Sequence, residues 1–457
     1  MAKIFISIIV FFAFFVNMFA QIEVHSSNQV GIGTNNPQYK LDVRGDTHVA
    51  GSFYLGDNGN NTSIIGTSSI YIPLVFKVNN VLSGFSGDYF NPNVSFGYNA
   101  LPNYTQRGGN TAIGHSALFY NTTGESNTAI GSGALKFNTE GLRNTAIGYG
   151  SLQGNTTGYG NTATGGALSG NTTGIYNTAH GWNTLLMSTT GEYNTANGAY
   201  ALWSSRTGSY NTAEGSYSLH DNTTGSYNTV IGYRAAYHNI TGDYNTAIGY
   251  MTKVYHTNLH NATAIGNEAL VNNHDQVRIG NSSVTSIGGY AGWSNISDGR
   301  TKRNIRTNVP GLTFIKSLQP VTYNLDLDAI DSFFKKEVQG VKEGEMAAPE
   351  EPKELIEIKK KSREAKQRQV QTGFVAQEVE KAAKSIGYEF SGVDVDEMGI
   401  YSLRYAEFVV PLVKAVQELS DQNDRLQEEG KRLGDQNDRL QAQVDALINR
   451  LEKLENK

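Results

Sequence analysis

The chain has no cysteine among its 457 residues. That excludes a disulfide framework and a cysteine-linked lipid anchor. Histidine offers no replacement as a metal ligand. His256 and His260 stand four apart with no carboxylate or third ligand beside them, so they read as surface residues, and neither a metal nor a cofactor is expected. Net charge is low as well, −5 over the whole length. This argues against a nucleic-acid or membrane-surface partner. Charges are sparse through the middle of the chain and dense after about residue 297, which marks a boundary. Past the first twenty residues no apolar run is long enough to span a bilayer.

Glycine is abundant, at 50 residues, and it is regular. Gly97, Gly114, Gly131, Gly148 and Gly165 are each 17 apart; after one shorter unit to Gly181 the spacing resumes through Gly198, Gly215, Gly232, Gly249 and Gly266. Each closes a strip such as Asn127-Thr-Ala-Ile-Gly131. Four residues further on stands a leucine, as at Leu118, Leu135, Leu152, Leu185, Leu202 and Leu219, and a second turn of the type Asn121-Thr-Thr-Gly124 follows. A fixed short period predicts a stack of like units, hence a rod. Two short strands and two tight turns are expected per unit, with Gly and Asn supplying positive φ.

Alternation along the strand assigns its faces. From Gly114 onward the residue two before each glycine is Ala, with Val230 the exception, so this face lines a narrow interior. The next position runs from Ile113, Ile130 and Ile147 through Thr164, His180, Asn197 and Glu214 back to Ile231, Ile248 and Ile265. One such unit buries too little to stand alone, so stacked neighbours, and further chains, are expected. Tyr176, Tyr193, Tyr210, Tyr227 and Tyr244 share one register and predict a ladder. Ring stacking explains such a ladder; a surface glycan along the stripe is the functional alternative, and ice binding by the Thr columns a weaker one.

The strip Asn-x-Ala-x-Gly resembles the head repeats of trimeric bacterial adhesins, over roughly residues 93–270. The resemblance implies a left-handed β-roll in a homotrimer. Before it, Lys3 and the apolar run Ile4–Phe19 ending at Ala20 read as an export signal cleaved after Ala20, with an uncleaved anchor as the alternative. Export places the protein outside a bacterial cell, secreted or on the surface, and argues against a phage virion fibre made in the cytoplasm. Residues 21–92, with Val30-Gly-Ile-Gly-Thr34 and Leu41-Asp-Val43, form a β-rich N-terminal cap resembling the opening of bacterial and phage fibre proteins. Residues 271–296 end the rod and link it onward.

Ser297-Asp298-Gly-Arg300-Thr-Lys302-Arg303-Asn-Ile305 matches at all fixed positions the Ser-Asp-x-Arg-x-Lys-x-x-Ile strip opening the intramolecular-chaperone peptidase domain of endosialidases and phage tail spikes. Leu318-Gln-Pro-Val-Thr-Tyr323, Gly373-Phe-Val-Ala-Gln-Glu378 and Tyr401–Tyr405 follow in that family's order. The resemblance covers roughly 297–425 and implies an α+β domain that drives trimer folding and then cuts itself off. It also implies Ser297 as nucleophile, Lys302 as its activating base, and Ile296–Ser297 as the bond cut. A serine needs a base, and a lysine serves only when neutral. Arg300 and Arg303 are placed to favour the neutral amine, and Asp298 opposes them unless paired to an arginine.

A charged excursion, 335–371, interrupts this domain of 297–411; its Lys359–Lys361 run reads as a solvated face. From 412 to 457, Leu412, Leu419, Leu426, Leu433, Leu440, Leu447 and Leu454 recur every seven, with Val416, Asn423, Gly430, Asn437, Val444 and Leu451 between them. That is a coiled-coil seam with two polar positions that fix register. Taken together, the expectation is a homotrimeric β-fibre with a C-terminal self-cleaving chaperone. The competing class is an adhesin-like fibre on which that domain stays attached as a trimerisation cap.

Overall fold

The computed structural model describes residues 92–103, 108–290, 292–335, 353–396 and 398–455, together with the backbone of five strands between 22 and 86. The export-signal segment and residues 336–352 of the charged excursion lie outside the described residues. The chain divides into two compact units, 1–68 and 69–457. In the first, Val30–Ile32 pairs antiparallel with Ile22–Val24 and parallel with Leu41–Val43.

In the second unit, residues from Val94 to Ile279 wind as a parallel β-solenoid of about 11 turns. Each turn lends a three-residue strand to one sheet, in register with the next: Thr128 faces Thr145, Ala129 faces Ala146 and Ile130 faces Ile147. The short unit does not disturb the ladder, since Ala163 still faces Ala179. Its missing residue is absorbed in the corner after the strand, where Gly165 and Gly166 both take positive φ. Two antiparallel strands, Leu74–Val78 and Val81–Ser86, pair onto Val94–Phe96 and cover the first edge of the sheet.

The interior is built within one chain. The Ala column, the Leu column and two Asn columns are fully buried. The expected second strand is absent from most turns. The leucines sit instead in corners with left-handed backbone, Leu118, Leu135 and Leu152 all at φ 50°. Such a conformation costs a bulky residue on the order of 1–2 kcal/mol. Packing of the side chain into the core and turn-to-turn hydrogen bonds, such as Leu118 N–H to Ala134 C=O at 3.1 Å, hold it there. Only the last turns form a second sheet, Lys253–Val254 beside Leu270–Val271. The glycine closing each strand is required by close approach: a Cβ on Gly114, itself at φ 127°, would stand 2.6 Å from the Gly131 carbonyl.

The buried Asn columns answer the question of where the turn backbone finds its partners. Asn144 donates through Nδ2 to Asn127 Oδ1 at 3.1 Å and to the Gly158 carbonyl at 2.9 Å. Its own Oδ1 accepts from the Asn161 backbone N–H at 3.0 Å. The pattern repeats turn after turn.

After the solenoid come helices α1 (Leu312–Ser317), α2 (Leu327–Lys335), α3 (Lys353–Arg368), α4 (Ala376–Ser385) and α5 (Val409–Glu455). Two antiparallel ribbons accompany them, Val321–Tyr323 with Gln371–Gly373 and Val393–Val395 with Tyr401–Leu403. The first ribbon pairs the strand before α2 with the strand after α3. Phe314, Val379, Ala383 and Phe408 form a small core. Glu418 of α5 accepts from the Leu312 N–H at 2.8 Å and so caps the first turn of α1. Beyond Glu418, α5 runs on as a single exposed helix, and its leucine seam faces outward.

Candidate functional site

Asp298 builds the segment that the sequence singles out. Its carboxylate accepts from the Arg300 backbone N–H at 2.9 Å and so caps a short 3-10 turn over Gly299–Thr301. Its carbonyl accepts from the Thr301 N–H at 3.0 Å and from the Thr301 hydroxyl at 2.8 Å. The turn closes when the Lys302 N–H reaches the Gly299 carbonyl at 3.2 Å. Ser297 and Lys302 stand five positions apart, and the turn folds that distance back on itself. Lys302 Nζ then donates to Ser297 Oγ at 2.8 Å.

Arg300 is the arginine that pairs with Asp298. Its guanidinium folds onto Asp298, with Nη2 donating to Oδ2 at 2.6 Å and Nε reaching both carboxylate oxygens. The Arg300 side chain, helped by its backbone N–H, holds the Asp298 carboxyl below the usual carboxylate range. In turn Asp298 raises the Arg300 guanidinium. Asp298 is thus paired to an arginine, the condition under which its charge does not oppose a neutral lysine. Arg303 is exposed. Ile296, Ser297 and Lys302 are all exposed in the single chain, Ile296 at 89%.

The other motif positions fall on regular elements. Val321–Tyr323 is a strand, Gly373 ends its partner strand, and Ala376 opens α4. At Gly373 any Cβ would run into the Tyr405 hydroxyl, which accepts from the Phe374 N–H at 3.2 Å. That contact ties the Gly-Phe-Val-Ala-Gln-Glu strip to the tyrosine that leads into α5.

On the solenoid, the tyrosine register is a ladder. Ring centroids from Tyr193 to Tyr244 stand 4.9–5.1 Å apart and nearly parallel. The rings spend their faces on one another and show water their edges. A sugar would therefore meet the ladder through hydroxyls and not by stacking.

A second polar cluster escaped the sequence reading because its members belong to neighbouring turns. Asp221 lies 2.7 Å from His220 Nδ1 and 2.9 Å from His238 Nδ1. His220 is sandwiched between Trp203 and Tyr237. Burial alone would raise the Asp221 pKa, but hydrogen bonds to the two imidazoles outweigh it and bring it to about 2. A 17-residue offset between His238 and Asp221 was the available signal.

Among the described residues, no three His, Cys, Asp or Glu side chains come together to hold a metal ion. His260 is exposed and lies tilted against His274, with ring centroids 4.2 Å apart. His256 departs from the surface reading: it is half-buried, edge-on to Tyr255, with Nε2 enclosed and without a hydrogen-bond partner. Lys359 also departs from a solvated run, since it reaches Glu268 of the solenoid at 2.7 Å. No described helix is long and apolar enough to cross a membrane.

No protein-family model, no curated protein and no solved structure matches this chain.

Proposed function

We propose that this protein is an exported homotrimeric fibre whose C-terminal region serves as an intramolecular chaperone and cuts the chain once, between Ile296 and Ser297. The observation that carries the reading is the 2.8 Å contact between Lys302 Nζ and Ser297 Oγ, held by the Asp298 turn.

The chemistry balances within the chain and one water. Lys302, as the neutral amine, takes the proton of Ser297 Oγ. The oxygen attacks the Ile296 carbonyl carbon, a C–O bond forms, and the C–N bond to Ser297 breaks. The proton goes to the departing Ser297 amine. Water then adds to the ester, freeing the Ile296 carboxylate and restoring the hydroxyl. In the geometry seen, the ammonium donates to the hydroxyl. The neutral amine is favoured where water is excluded, and both side chains are exposed in one chain. Cleavage therefore requires that further copies cover the pair.

That same exposure favours a second reading, in which the domain remains attached as a trimerisation cap and the Ser–Lys contact is only part of the turn. Expression of the full chain beside Ser297→Ala separates the two. Self-cleavage yields a fragment beginning at Ser297 in the first and none in the second variant. Intact wild-type trimer under all folding conditions would leave only the cap.

A further inference from the structure

Between the last solenoid strand and Ser297 the chain carries a different period. Val284, Ile287, Tyr290, Trp293 and Ile296 recur every three residues. The pairs between them are Thr-Ser, Gly-Gly, Ala-Gly and Ser-Asn, all small. A period of three fits neither the 3.6 of an α-helix nor the 2 of a strand. It belongs to an extended chain of three residues per turn, with every third side chain along one edge.

In the structure Val284 is half-buried against the end of the solenoid, and the four teeth after it are bare. Ile287, Tyr290, Trp293 and Ile296 are 60%, 113%, 91% and 89% exposed. Among the described residues from 285 to 297, no backbone N–H donates to another part of the chain. At Gly288 and Gly292 the space where a Cβ would stand is open. Large rings and unpaired backbone together call for a covering partner.

What covers it follows from charge and position. No charged residue lies between Arg278 and Asp298. Copies of one chain laid side by side in register set like residues against like, and charges in such a segment would repel. This stretch has none to repel. The small pairs let backbones approach closely, and the open N–H groups are free to pair between chains. On either side along the chain, apolar side chains are exposed as well, the isoleucines Ile113, Ile130, Ile147, Ile231 and Ile265 of the solenoid and the leucine seam of α5 further on.

We infer that residues 284–296 form a three-chain neck, in which the comb of each copy packs against the combs of two further copies of this chain. The inference rests on the trimeric reading above and adds to it a specific interface and register.

Single cysteines test it in the full-length chain, which has none of its own, carrying Ser297→Ala to keep it whole. Teeth are probed with Ile287→Cys, Tyr290→Cys and Trp293→Cys, spaces with Gly288→Cys and Ser294→Cys, and the helix seam with Leu426→Cys. Under mild oxidation the teeth should link chains in pairs, up to about two thirds of all chains, since the third copy at a threefold axis has no partner left. Linking needs Cα atoms within about 7 Å, so the spaces should link at least about fivefold less. Equal linking at teeth and spaces, with Leu426→Cys linking well, overturns the neck and leaves the trimer standing. Absence of linking at both teeth and seam overturns the trimer as well. Sedimentation equilibrium of the reduced protein should give three chains; two would contradict a three-chain neck.

Discussion

Replacing Asn144 by Ala should open the solenoid locally at the next turn. The Asn144 carboxamide is fully buried. It donates to Asn127 Oδ1 and the Gly158 carbonyl and accepts from Asn161 N–H and Nδ2. After truncation the Gly158 carbonyl still receives Asn155 Nδ2 at 2.9 Å, and Asn161 Nδ2 still donates to the Gly174 carbonyl at 2.8 Å. The Asn161 backbone N–H has no such substitute. One buried donor left unmade costs about 1–3 kcal/mol, and the small void adds to it, so a local loss of about 2–4 kcal/mol is expected. Unfolding of a stacked array need not be all-or-none, which makes hydrogen exchange at the Asn161 amide the better assay. Exchange should quicken roughly 30- to 1,000-fold at constant temperature and pH. Asn144→Asp adds a pH signature. Its new oxygen faces two acceptors, so the folded state favours the protonated acid and the folded pKa rises. The deficit should be small below about pH 4, the unfolded aspartate value, and grow as pH climbs above it. Exchange at Asn161 within about threefold of wild type in Asn144→Ala would refute the ladder as a structural support.

The Asn ladder through Asn121, Asn138, Asn155 and Asn171 lapses at Ser188 and Ser205, leaving Asn171 Oδ1 and both serine hydroxyls buried without partners. Ser188→Asn with Ser205→Asn should raise stability by about 1–3 kcal/mol; an unchanged or lower denaturant midpoint argues against a gap there. Asp221 is held at about 2, so its stabilisation is present above the unfolded aspartate pKa and is lost as pH falls through 2. Wild type should exceed Asp221→Asn by about 1–2 kcal/mol at pH 5 after allowance for solvent, and an advantage that persisted at pH 2 would contradict the assignment. Lys302→Ala should stop cleavage without changing the circular dichroism of the solenoid. Cleavage of the wild type should slow as pH falls and the amine gains its proton, and a Lys302→Ala chain that is cut at the normal rate removes the base.

The solenoid was legible because a repeat exposes its own alignment. Ala112, Ala129 and Ala146 had to face inward once Thr and Ile flanked them on each strand, and the structure buries all three. The second strand was misread for a physical reason. Leucine at a fixed offset signals burial but not backbone conformation, and corners at φ near 50° are rarely populated by leucine outside a stack. The strips Leu318–Tyr323 and Gly373–Glu378 marked the strand Val321–Tyr323 and the start of α4, but not the pairing of that strand with Gln371–Gly373. What escaped was tertiary pairing, His238 with Asp221 on the neighbouring turn and Lys359 of α3 with Glu268 of the solenoid. The resemblance paired Ser297 with Lys302 but did not reveal that Asp298 makes the turn.

The account stands most directly on the mass of the purified product. Full-length protein allowed to fold and assemble should resolve into two species, one ending at Ile296 and one of residues 297–457 with a free Ser297 amine. Ser297→Ala, assembled to the same extent, should show a single uncut chain. Wild type recovered as assembled, uncut chain would contradict self-cleavage, and a cut at any bond other than Ile296–Ser297 would contradict the role given to Ser297.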